Sequence, residues 1–304
     1  HIRKIPERLH RIWLCLLSRQ RVVLKSKPIC RILLEKRISR EDILFRTISS
    51  SLGLPNNSLR VLIACGTAGG IAAAFNTPLA GVIFAMEVIV AEYTVVGFIP
   101  VMLAAVAAAA VNRALSTGDA LFHIPALQLN SLLEIPFILL LGISCGIAVT
   151  AFIQVSKLAA QISHWPVSVK FTLAGTLTGL LGLVMPEILG IGYDTVDQTL
   201  LGTPGILMLL GLALFKVMAT GFSIGLGVPG GLIGPPLFIG SVIGCLAGQL
   251  ALLVWPGLGS DVGFYALLGM GAMMSGSLQA PLAALTAMLE LTYNAGIILP
   301  GMLA

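Results

Sequence analysis

The chain has 304 residues, 57% hydrophobic and 10% charged, with a mean hydropathy of +0.99. Soluble domains average about 45 to 50% apolar and about 25% charged residues, so this composition excludes a water-facing surface and places the chain in a bilayer. The formal net charge of +5 averages two unlike parts. Residues 1–60 carry 14 Lys/Arg and 4 Asp/Glu, whereas residues 61–304 carry 4 and 9, which excludes a basic nucleic-acid binder.

Residues 1–48 hold 13 of the 18 Lys/Arg and show no apolar period. One reading is a juxtamembrane arm drawn to anionic lipid; the other is an out-of-frame or misjoined sequence. The abrupt change of composition before Ser51–Ser58 favours the second, with residues 49–304 as a partial transmembrane domain. Apolar stretches long enough for a span of about 20 residues then follow at 61–91, 95–111, 136–153, 171–190, 205–224, 232–254 and 263–292. Residues 116–130 and 189–204 read as loops, and Ala104–Ala110 as a close helix contact. Glycines and prolines fall inside several spans. Backbone groups freed at membrane depth must be satisfied by protein or by a watery cavity, so these breaks are where function is expected.

An internal repeat sets the expected architecture. A shift of 203 positions carries Gly66 onto Gly269, Asn76 onto Gln279, Pro78-Leu79-Ala80 onto Pro281-Leu282-Ala283 and Glu87 onto Glu290. Such symmetry marks transporter folds built from two repeats, with the ion site at their interface. An intramembrane carboxylate is a functional suspect by default, so Glu87 and Glu290 are candidates for a relay. As a symmetric pair they read better as structural anchors.

Between two apolar spans lies Gly225–Pro236, GLGVPGGLIGPP. Prolines in the first turn of a helix give up an N–H that had no partner, and glycines leave neighbouring amides uncovered. The expected product is a bare helix N-terminus, whose free N–H groups and partial positive charge suit an anion. Lys216 is the closest basic residue in sequence, so the ion is expected to be held by dipoles rather than by a counter-charge. Weak binding of that kind suits conduction. The alternative is an ordinary broken helix packed on a neighbour.

Nothing else in the chain suggests an enzyme, a metal centre or a cofactor. The five cysteines (15, 30, 65, 145 and 245) form no C-x-x-C pair and read as packing residues. His1, His10, His123 and His164 are dispersed, and phosphate-loop, zinc-protease and nucleophile-elbow motifs are missing.

The segment GGLIGPPLFIGSVIG resembles the G-x-F-x-P signature of the CLC chloride channel and transporter family. AAAFNTPLAGVIFAMEVI, Pro186–Tyr193 and Gln279–Glu290 also resemble segments of that family, in the expected order over residues 49–304. The resemblance implies an all-α integral membrane protein of the cell or inner membrane, with two inverted repeats and many membrane passes. It also implies a homodimer of separate pores, partnered by chloride and lipid. The anion would be held by the Leu232 and Ile233 amides within a loop of Gly230, Gly231, Gly234 and Pro235; Ile233 stands where the family more often has Phe.

Three family elements are not found. The G-S-G-I-P stretch is absent, and Arg40-Glu41 lacks the surrounding glycines and proline of G-R-E-G-P. The chain also ends at Ala304, before any helix carrying the pore tyrosine. Proton-coupled members often carry two adjacent glutamates, the second an inner relay, where this chain has Glu87-Val88. The resemblance therefore favours chloride movement without that relay. Two alternatives stand beside it: a non-conducting membrane fragment that retains the dimer-forming helices, and a carrier for another small monovalent anion.

Overall fold

The computed structural model describes residues 56–91, 94–115, 134–162, 165–228, 230–255, 260–292 and 294–304, and among these there is no strand. The basic segment, the stretch 116–130, Cys15, Cys30, Pro229 and all four histidines lie outside the described residues.

Among the described residues, five helices are long and apolar enough to cross a membrane. They are α3 (Val95–Leu115), α4 (Ile135–Gln161), α5 (Val167–Val184), α7 (Ile206–Gly225) and α8 (Gly234–Val254). At about 1.5 Å per residue, the 27 residues of α4 reach about 40 Å, longer than the hydrocarbon of a typical bilayer. The remaining apolar stretches are broken. The first is divided at Asn76 into α1 (Asn56–Phe75) and α2 (Pro78–Phe84), which runs on as a π-helical turn over Ala85–Val90. The last is divided at Gln279 into α9 (Val262–Leu278) and α10 (Pro281–Thr292), followed by the short α11 (Ile298–Leu303). Asn76 and Gln279, equivalent under the sequence shift, both adopt left-handed backbone, with φ of 54° and 53°. Each proline then starts a helix in a new direction, where its missing N–H costs nothing.

One expected loop is in part a helix. Within 189–204, Tyr193–Leu200 forms α6, burying Thr195, Val196, Thr199 and Leu200. Its two apolar residues are one turn apart and plug the core, while Asp194 in the first turn suits the helix dipole. Gln249 on α8 ties down the turn after α6 by donating to the Gly202 and Pro204 carbonyls at 3.2 and 2.7 Å.

Helices meet through small residues, as lipid provides no hydrophobic drive between apolar surfaces. Against α1, the alanine run of α3 buries Ala105 and Ala109, and a Cβ placed on Gly69 would stand 3.4 Å from that of Ala108. The closest approach is between α8 and α9, where Gly240 lies on the backbone of Gly269 and Gly244 on that of Tyr265 and Ala266. Around this contact lies the main core, which includes Phe238, Val242, Phe264, Tyr265, Leu267 and Leu268. Cys145 and Cys245 are buried there and all three described cysteines are free. The first turns of α8 thus lead straight into this close backbone contact.

Candidate functional site

The approach to the site is set by the end of α7. Gly227, at φ +85°, donates to the Ile224 carbonyl at 2.9 Å, and Val228 donates to the Ser223 carbonyl at 3.0 Å. This pair of bonds is a Schellman motif, which consumes the last carbonyls of the helix and requires a left-handed residue at the turn. Leu226 is buried against Ala159 and Ala174, with Val228 packed beside it. The chain is thereby turned back at a fixed point, and α8 begins six residues after Val228.

At the start of α8 the donors and acceptors are unbalanced. Ile233 occupies the N-cap with no side-chain cap, and Pro235 and Pro236 have no N–H to give. Leu237 is the first residue after them to close a bond, donating to the Ile233 carbonyl at 3.2 Å. Among the described residues, no carbonyl or side chain accepts from the amides of Gly231, Leu232, Ile233 or Gly234. Gly230 and Gly231 are exposed, with open space where a Cβ would stand, and Leu232, Ile233, Gly234 and Pro235 are half-buried. All six residues line one cavity of about 520 Å³. A helix N-terminus whose unfilled donors belong to residues lining a space of this size can hold a small anion.

The structure corrects the expectation that no basic side chain stands near. Lys216, midway along α7, lines the same cavity. It is buried, and its Nζ donates to the carbonyls of Ile188 and Gly190 at 2.8 and 2.9 Å while lying 4.4 Å from the centre of the Phe238 ring. Sequence reasoning set it aside because it is 14 residues from Gly230. The available signal was that Lys216 is the sole Lys or Arg between residues 171 and 304 and interrupts an apolar run.

The two repeat-related carboxylates lie elsewhere, and they are exchanged. Glu87 sits on the π-helical turn after α2, yet it accepts from the Leu282 and Ala283 amides at the start of α10, at 3.4 and 2.9 Å. Glu290, near the end of α10, accepts from the Leu79 and Ala80 amides at the start of α2, at 2.9 and 2.7 Å. Each acid thus fills the vacant amides at the other helix's N-terminus, where a negative charge meets the favourable end of the dipole. A contact in which one copy does to the other what it receives is isologous, the mark of an approximate two-fold relation. Removing either acid leaves two amides unfilled, so Glu87→Ala and Glu290→Ala should each cost about 2 kcal/mol. Thermal unfolding of the purified chain in detergent would check this, with the double variant losing less than the sum because the two contacts brace one interface. Wild-type stability in either single variant would refute the exchange.

Comparison with known proteins agrees with this architecture. Residues 37–304, a range that takes in residues 37–48 of the basic segment, match the family profile described as voltage gated chloride channel. A ClcB-like protein of Ralstonia nicotianae is 30% identical over 302 residues, covering 94% of this chain and 70% of its own length. The H(+)/Cl(-) exchange transporter ClcA of Vibrio cholerae is 33% identical over 265 residues, covering 84% of this chain and 57% of its own length. This chain therefore spans little more than half the length of that exchanger. Its fold resembles that of a slow cyanobacterial Cl-/H+ antiporter, with a TM-score of 0.73 at 22% identity, covering 85% of this chain and 62% of the antiporter. With the profile matched over most of its length and five apolar helices fit to cross a bilayer, the chain is an integral, multi-pass membrane protein belonging to the CLC family of voltage-gated chloride channel proteins.

Proposed function

We propose that the chain moves chloride, or a similar small monovalent anion, across the membrane. The ion is received by the amides of Leu232, Ile233 and Gly234, with Gly230, Gly231 and Pro235 shaping the loop around it. The observation that carries this reading is the set of unfilled amides at the start of α8, opening on a cavity of about 520 Å³. Backbone donors hold an anion through partial charges, firmly enough to admit it and weakly enough to release it. The names of the relatives, an H(+)/Cl(-) exchange transporter and a Cl-/H+ antiporter, point to the same ion.

The stretch 87–88 gives little support to a proton relay. Glu87 is engaged by two amides, and Val88 packs against the main core. We read Glu87 and Glu290 as anchors between the two halves, and the ion movement as independent of a proton carried through residues 87–88. The family resemblance also supports a homodimer with one pore in each copy.

Vesicles loaded with KCl and holding the purified chain should release chloride when valinomycin admits a potassium counter-current, with no matching uptake of protons. Vesicles no leakier than protein-free ones would abandon this reading for that of a non-conducting piece. Block of the efflux by excess fluoride or a carboxylate would favour a carrier for another anion.

A further inference from the structure

Lys216 is 2% exposed, and among the described residues no carboxylate pairs with it. Glu187 and Asp194, the acids that flank the carbonyls it binds, are exposed, whereas Lys216 is buried. What surrounds its Nζ is neutral: the Ile188 and Gly190 carbonyls and the face of Phe238, a residue one turn into α8. Carbonyls solvate a cation without cancelling its charge, and a charge within a membrane is costly and rarely kept without use. A neutral amide side chain could donate to the same two carbonyls at lower cost. The charge itself therefore needs an explanation that hydrogen bonding does not give.

The cavity supplies one. Lys216, Ile188 and Gly190 all line the space that the start of α8 faces. Left alone, those two carbonyls would present negative dipole ends to any anion entering. By drawing them onto its own Nζ, the lysine removes this repulsion and leaves a net positive charge in the wall. Resting on the anion reading above, we infer that Lys216 is a specificity-determining residue of the cavity. Its charge raises anion occupancy opposite Leu232–Gly234 and bars cations, and its two hydrogen bonds hold residues 188–190 in place beside α8. A sphere of the cavity's volume is about 10 Å across. A unit charge at that range, with an effective dielectric near 20, changes anion binding by roughly one order of magnitude.

The test is chloride binding to the purified full chain in detergent, by titration calorimetry, with thermal unfolding of the same samples. Lys216→Gln, which keeps a donor for the carbonyls but no charge, should bind chloride about ten-fold more weakly while folding like the unsubstituted chain. Lys216→Arg should stay within about three-fold, and Lys216→Met should lose affinity at least as much as Lys216→Gln. A folded Lys216→Gln or Lys216→Met protein that binds chloride like the unsubstituted chain overturns the inference alone. Neutral variants that unfold even in saturating chloride assign the lysine to the fold and overturn it as well. No chloride heat in the unsubstituted chain removes the anion reading, and this inference with it.

Discussion

Ile233→Pro should weaken chloride binding by about ten- to one-hundred-fold, whereas Ile233→Ala should leave it within about two-fold. The contrast follows from which atom is expected to meet the ion. If the side chain of Ile233 served the anion, truncation to alanine would matter most. If the amide serves it, only the loss of the N–H matters, and proline is the one residue that removes it. A hydrogen bond to a charged partner contributes about 1.5 to 3 kcal/mol, which sets the range. The backbone at Ile233, with φ −93° and ψ −47°, lies close enough to proline's preferred φ for the loop to keep its course. Pro235 and Pro236 already follow it, so α8 still begins where it does. Calorimetric chloride titration of both variants, with unfolding midpoints to show that each is folded, makes the comparison. Equal affinities for the two proteins would remove the amide of Ile233 from the site.

The largest loss of stability should come from Gly244→Val, at about 3 kcal/mol or more. A Cβ at this position meets the Tyr265 carbonyl oxygen, with Ala266 Cα and Tyr265 C at 2.6 and 2.7 Å. These are backbone atoms, which cannot rotate aside as a flexible side chain would, so the strain of overpacking takes its upper values. The helices would have to part, opening the core around Phe238, Val242 and Phe264 and shifting the start of α8 with it. Gly146 on α4 is the control, since a Cβ there meets nothing within 4 Å. Gly146→Val should unfold within about 1 kcal/mol of the unsubstituted chain, and the same unfolding assay reads both. Unchanged stability in Gly244→Val would mean that α8 and α9 are not packed as described.

Much of this was legible in the sequence, because its signals were local. Proline, glycine and the period of the repeat announced the breaks at Asn76 and Gln279 and the start of α8. Two features escaped because they depend on folding across long separations. The acids lie nine residues after their prolines, at the far end of their own helices, where neither can reach its own vacant amides. Only the meeting of the two copies brings Glu87 to Ala283 and Glu290 to Ala80, over 196 and 210 residues of sequence. Likewise Lys216 comes to the cavity because the turn at Gly227 folds the loop back along α7. The helix at Tyr193–Leu200 was hidden by its polar composition, which reads as loop until its buried face is seen.

The exchanged carboxylates bear on how such a chain can change over generations. Each half carries the stopper for a vacancy in the other, so a loss at Glu87 is felt beside Leu282 rather than at home. Drift in one copy is thereby checked by a partner some two hundred residues away, and neither copy can be replaced without its counterpart agreeing.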